Sequence, residues 1–394
     1  MAAERPQPVV WVVIGDERYG VRTATLGMMS AARLVGVEPV VVSLSEGPFV
    51  DELRERGDRV FCLGLDPSPS FAGGVLSKAR GVMAMRAYRK RVTERLGKVL
   101  RELSPGAVHL AWPHLVFSSG PAVADLGLPC FWEMPNIVGR TLPFGLNAKL
   151  YRRACRKWGI RPVANSRFTA ATVSGPGVEP AVVYPPTDTA WFVPREDRLA
   201  QRRELGYGSD DVVVGIVARM SASKGQREVA RAVGLLKDRW PGLRLLLVGG
   251  PVDDVYAEQI RSEAEAGGYA DRIRMIDRVS DPRRLLGSVD LAVNARVDPE
   301  PFGLSVVEAM SMELPVLAHA LGGPAETVAD GETGWHVSGV TGEVMAEGLM
   351  RAMGDRDRWS VMGKAARRRA VKLFSVEAAA RELSSLWGLS AARN

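Results

Sequence analysis

Short runs of β-branched and apolar residues recur along the chain, each followed by a longer stretch whose apolar positions return every three or four residues. In the first half the runs are VVWVVI (9–14), EPVVVSL (38–44), RVFCL (59–63), AVHLAW (107–112), PCFW (129–132), PVAN (162–165) and AVVY (181–184). In the second half they are DVVVGIVAR (211–219), LRLLLVGG (243–250), RIRMID (272–277), VDLAVNA (289–295), PVLAH (315–319) and GWHV (334–337). A run that is apolar at nearly every position predicts a strand covered on both faces, as in a parallel sheet flanked by helices. Two such series in tandem predict an α/β chain of two doubly wound domains, with ligands at the carboxyl ends of the strands. The prolines of YPPTDTAWFVPRED (184–197) mark the boundary. The expected division is 1–186, 187–370 and a C-terminal helix in 371–394 that crosses back to the first domain. Residues 357–388 read as one or two amphipathic helices.

Length and composition fit this picture. The chain has 394 residues and 42.6 kDa, enough for two cores. A hydrophobic content of 46% with 25% charged residues is that of a globular protein. Cys62, Cys130 and Cys155 are its three cysteines, far apart and without CxxC spacing, which argues against a disulfide framework or a structural zinc. The opening MAAERPQPVVWVVIG has too short an apolar run for a signal peptide, and no stretch approaches the roughly 20 apolar residues of a membrane span. A cytoplasmic protein is expected.

The net charge of +7 points to an anionic ligand or surface without choosing one. Part of it lies in Leu76–Leu103, which carries nine Lys/Arg and two Glu among apolar positions at helical spacing. The simpler reading is the solvated face of a core helix. The sharper one is peripheral contact with an anionic membrane. The run KLYRRACRKWGIR (149–161) is similar. Neither carries aromatics spaced as a stacking platform, so nucleic acid is not an expected partner. Monomer and homodimer both remain open.

Two stretches carry candidate chemistry. In VVVGIVARMSASKGQREVARAVGLL (212–236), Arg219 and Lys224 follow a buried strand, where a fork of donors and a point charge would suit a pyrophosphate. In DPEPFGLSVVEAMSMELPV (298–316), Glu300 and Glu308 bracket Pro301-Phe302-Gly303. Gly303 permits close backbone approach, and a helix beginning at Ser305 offers free N–H groups to phosphate oxygens. Ser305-x-x-Glu308 also fits a capping box.

The order and spacing of Arg219-x4-Lys224, Glu300-x7-Glu308 and GGPAETVADGETGWHV (322–337) resemble the donor domain of the retaining GT-B glycosyltransferases of family 4 (glycosyl transferases group 1). The resemblance covers most of the chain and is most specific over 212–337. Weaker matches are VANSRFTAATV (163–173), YPPTDTAWF (184–192) and GDERYGVRTATLGMMSAARLVG (15–36), the last with Gly20-Val21 in place of a Gly-Gly pair. The resemblance implies two Rossmann-like domains facing across a cleft and a nucleotide-sugar donor. Arg219 and Lys224 would neutralise the diphosphate, Glu308 would bind the ribose and Glu300 would face the sugar. The backbone of Phe302, Gly303, Leu304 and Ser305 would cradle phosphate, with Gly20 and Gly323 also near the donor. Arg278 and Val279, after the third strand of the second series, would border the base.

One departure falls in the first domain. The family places a His after the fifth strand, where this chain reads Glu133-Met-Pro-Asn136. Glu133 and Asn136 stand as acceptor-side candidates, with a turn-supporting role the simpler reading of Glu133. His109 and His114 read as structural. The missing His admits a readily deprotonated acceptor such as a thiol, beside a small-molecule or glycolipid alcohol. No metal or other cofactor is expected, since side-chain cations supply the charge. A nucleotide-sugar epimerase and a non-catalytic sugar-nucleotide binder are the alternatives. A nicotinamide oxidoreductase is disfavoured because GDERYG (15–20) is not GxGxxG.

Overall fold

A computed structural model of the chain describes residues 7–65, 75–139 and 145–389. The strands form where the sequence predicts them. The first sheet comprises β1 (Val9–Val13), β2 (Pro39–Ser43), β3 (Arg59–Cys62), β4 (Ala107–Leu110), β5 (Cys130–Met134), β6 (Ile160–Ala164) and β7 (Ala181–Val182). They lie in the order β3-β2-β1-β4-β5-β6-β7, all parallel. The second comprises β8 (Val212–Val217), β9 (Leu243–Val248), β10 (Ile273–Ile276), β11 (Leu291–Asn294), β12 (Val316–His319) and β13 (Gly334–Val337). Its order is β10-β9-β8-β11-β12-β13, again parallel.

The pattern follows from burial. All five residues of β1 and of β2 are buried, as is β9 except for Arg244. A strand enclosed on both faces gains from apolar side chains at successive positions, which is why it reads as a run and not an alternation. Trp11, Trp132 and Trp335 are fully enclosed. In each sheet the strand order reverses once, between β1 and β4 and between β8 and β11. At such a reversal the loops leave the carboxyl ends of the two strands in opposite directions and open a crevice.

The chain divides into two compact units, Met1–Pro186 with Val376–Asn394, and Thr187–Ser375. The helix Trp359–Phe374 belongs to the second unit, so residues 371–375 stay with it, and the helix Val376–Leu386 belongs to the first. Ala379, Ala380 and Leu383 of that last helix pack among Val9, Trp11, Met28 and Met29. The second unit begins and ends at one place: Thr187 N donates to Phe374 O at 2.8 Å, and Thr187 pairs with Ser375.

The basic stretch forms the helix Val75–Leu103. The side chains of its first six residues lie outside the described set, as do residues 390–394. Tyr88, Val92, Leu96 and Leu100 face the core, while Val82 and Met83 are exposed with Arg86, Arg89, Lys90 and Arg91. Among the described residues, no helix is long and apolar enough to cross a membrane.

Candidate active site

The second unit gathers its candidate residues around the β8/β11 reversal. Arg219 is exposed in the loop after β8, and its carbonyl accepts from Gln226 Nε2 at 2.9 Å. Lys224 ends a single turn of 3₁₀ helix, Ala222–Lys224, and donates to Glu300 Oε2 at 2.8 Å. Glu300 lies in the loop after β11 and is 8% exposed. Its other oxygen, Oε1, accepts from Arg296 Nη1 at 3.0 Å. The carboxylate is thus held between two cations from the two strands that flank the reversal. Arg296 carbonyl in turn bonds His319 Nδ1 at 2.8 Å, at the end of β12.

Two glycines allow these loops to touch. A Cβ on Gly225 would come within 2.0 Å of Ala295 O, and one on Gly322 within 2.2 Å of Glu300 O. Gly322 also has φ of +98°, in the region side chains avoid. The contact is completed by Glu300 N donating to Leu321 O at 3.0 Å and Gly323 N donating to Glu300 O at 2.7 Å.

The helix after Glu300 runs Leu304–Ser311, with Gly303 as its N-cap in the left-handed region, φ +96°. This corrects the capping box: Ser305 lies inside the first turn and its side chain does not cap the helix. A left-handed glycine takes the cap, so Ser305 is not placed to accept from the third helical N–H. The N–H groups of Leu304 and Ser305 precede the first intrahelical bond, which runs from Val306 N to Gly303 O. Phe302 is buried and meets Phe374 edge-on, with ring centroids 5.6 Å apart, anchoring this start from below. Glu308 sits one turn in. It is partly buried, and burial pushes its carboxyl up to about 7. Arg278 and Val279 follow β10, the outer strand, so they lie two strands from the reversal.

In the first unit Glu133 is not in a turn. It lies within β5, and its Oε1 accepts from Trp11 Nε1 at 2.8 Å and pairs with His109 Nδ1 at 2.9 Å. Trp387, just beyond the last helix, donates its Nε1–H to His109 Nε2 at 2.9 Å. An Nε2 that accepts leaves the ring proton on Nδ1, so neutral His109 donates to Glu133. Glu133 therefore ties the sheet to the carboxyl-terminal helix. His109 is fully buried and has this structural role. Asn136 is exposed on the bend after β5. Gly20 falls in the first turn of the helix Tyr19–Leu34; the glycine of the preceding loop is Gly15, whose N–H donates to Ser45 Oγ at 3.2 Å.

Three residues escaped the sequence reading. Arg296 is four residues before Glu300, a charge spacing that a loop assignment gave no reason to weigh. Glu17 and Trp112 meet at the β1/β4 reversal, where Trp112 Nε1 donates to Glu17 Oε1 at 2.6 Å. They are 95 positions apart, and no spacing rule connects them.

Residues 197–369 match the family model described as glycosyl transferases group 1. Among curated proteins, the D-inositol 3-phosphate glycosyltransferase of Corynebacterium glutamicum is 35% identical over 215 residues, 52% of this chain and 51% of that protein. The chain spans about half the length of the first relatives it matches. A GDP-mannose-dependent alpha-(1-6)-phosphatidylinositol monomannoside mannosyltransferase of Mycolicibacterium smegmatis is 30% identical over 276 residues, 58% of this chain and 69% of that protein. Among solved structures, Anabaena HepE in complex with UDP and glucose aligns with a TM-score of 0.79 at 19% identity, over 98% of this chain and 100% of its own. A glycosyltransferase from Rickettsia africae aligns with a TM-score of 0.80 at 18% identity, over 97% of this chain and 98% of its own. These likenesses are of fold, the GT-B architecture of two Rossmann-like domains.

Proposed function

The chain belongs to the group 1 glycosyltransferases, and from that membership we propose that it transfers a sugar from a nucleoside-diphosphate donor to a small-molecule or glycolipid acceptor. The observation that carries the reading is the convergence of Arg219, Lys224, Arg296, Glu300 and the start of the helix Leu304–Ser311 around one strand-order reversal. Cations and free backbone N–H groups suit a diphosphate, and an enclosed carboxylate beside them suits sugar hydroxyls. Relatives named for inositol phosphate and phosphatidylinositol monomannoside support a cyclitol or cyclitol-bearing acceptor.

In the proposed mechanism the bond from the anomeric carbon to the diphosphate oxygen breaks as the acceptor attacks from the same face, with retention. The acceptor proton passes to the departing oxygen. Arg219 and Lys224 stabilise the charge that builds on that oxygen, Glu308 holds the ribose and Glu300 the sugar. Losing one such cation costs about 3 kcal/mol of transition-state stabilisation, near a hundredfold in rate. The charge is supplied by side chains, so the reading requires no metal.

A thermal-shift screen of UDP-, GDP- and ADP-sugars tests the donor half, because a ligand of the folded state alone raises the melting temperature. One of the three is expected to do so in the wild type, and Arg219→Ala and Lys224→Ala to weaken the effect. Wild-type turnover in both variants would overturn the assignment.

A further inference from the structure

Glu17 occupies the loop between β1 and the helix Tyr19–Leu34, beside Trp112, which follows β4. It therefore stands at the strand-order reversal of the first sheet, where an open parallel sheet receives ligands. The loop is fixed: besides the Gly15 bond to Ser45, Gly15 O accepts from Phe49 N at 3.0 Å. Within it, Glu17 Oε1 accepts from Trp112 Nε1 and, at 3.3 Å, from Ile14 N. Its Oε2 is enclosed and has no hydrogen-bond partner among the described residues, and the residue is 4% exposed. Buried carboxyls are ordinarily satisfied on both oxygens, so a half-satisfied one at a ligand-binding position calls for a partner from outside the chain.

The surrounding charge says which partner. The nearby cations have carboxylates of their own: Arg18 pairs with Asp16 at 2.7 Å, and Arg22 with Glu52. Burial holds the Glu17 carboxyl up at about 7, and repulsion from Glu133 and Asp16 adds to this. Among the described residues, no cation pairs with Glu17 itself. Trp112 and His114, stacked with ring centroids 6.3 Å apart and partly or fully exposed, form an accessible aromatic edge beside it.

We propose that Glu17 is an acceptor-binding residue whose free oxygen takes a hydrogen-bond-donating group of the acceptor, a hydroxyl or an ammonium, and that this subsite rejects a phosphate. The proposal rests on the glycosyltransferase reading. It separates this chain from the relatives named for an inositol phosphate, because a phosphate placed against the unpaired oxygen of Glu17 would meet a like charge.

Titration calorimetry at pH 7.5 with three probes of one ring size tests it: myo-inositol, 2-deoxystreptamine and D-inositol 3-phosphate. The polyol or the diamine is expected to bind more tightly than the phosphate, the diamine if the group is an ammonium and the polyol if it is a hydroxyl. Glu17→Gln should weaken the tighter of the two about tenfold. The proposal is overturned if the phosphate binds tightest, if neither other probe binds, or if Glu17→Gln leaves affinity within twofold. Should that variant not fold, the wild-type order of the probes still decides. The donor reading is checked separately by nucleotide-sugar thermal shifts on the same wild-type sample: their failure would sink the glycosyltransferase reading, whereas probe failure with intact donor shifts would sink only the role of Glu17.

Discussion

Glu300 is the shared member of a charge triad, so its removal would strand two cations at once. Glu300 accepts from both Lys224 and Arg296, and its burial makes each bond matter more than a surface pair would. Arg296→Ala should leave Glu300 free to turn towards Lys224 alone, lowering turnover about tenfold while the protein stays folded; steady-state rates beside circular dichroism check this. Glu308 gives a pH prediction. Burial raises its carboxyl to about 7; on the proposed assignment of Glu308 to the ribose, whose hydroxyls bond best to the ionised form, donor affinity should rise between pH 6 and pH 8 and flatten in Glu308→Gln. Glu17 gives the opposite slope in stability. A folded-state value near 7 against 4.5 unfolded means the native protein holds the extra proton, so stability is lost as pH rises through that window. Glu17→Gln should therefore recover up to roughly 3 kcal/mol at pH 8 and nothing near pH 4, read from melting curves at both values. At this scale the sequence spoke through motifs. Arg219, Lys224 and the two glutamates are legible because their spacing is local, whereas Arg296 and Glu17 acquire meaning only from partners that folding brings in. Ser305 was misread because Gly303, two residues earlier, could take the cap in a conformation that composition does not announce.

The strands were legible as elements because enclosure on two faces leaves a contiguous apolar signature. Glu133 shows where that signature misleads: a charged residue inside β5 read as a turn, because its partners come from the next strand, β4, which carries His109, and from β1 beyond it, which carries Trp11. The helix Val376–Leu386 is the element whose loss should show most clearly. It covers Trp11 and Met29 and supplies, through Trp387, the donor that fixes the His109 ring. Ending the chain at Ser375 should lower the melting temperature of the first unit and expose its sites to limited proteolysis. Peptides from 187–375 should remain protected in the same digest. Equal lability of both units would contradict the packing described.

At the scale of the whole molecule, the net charge of +7 includes the outward face of the helix Val75–Leu103, where Val82 and Met83 are exposed among arginines. That face can serve solvent or a surface, and vesicle flotation distinguishes them: binding to anionic but not neutral vesicles would support the second use. The division into units has its own test. Residues 187–375 have a core of their own and ends that hydrogen-bond to each other, so expressed alone they should fold and retain the donor thermal shift. The two-series pattern made two domains readable.

The adjoining ends of Thr187 and Ser375 carry a consequence for how such two-unit chains diversify. A domain that departs from the chain and rejoins it at neighbouring residues behaves as an interchangeable cassette. Recombination can replace it whole while the flanking chain keeps its path. On the proposed division of labour, sugar choice and acceptor choice can then change in separate steps, each inherited as a single uninterrupted block of sequence or as the pair of segments around it.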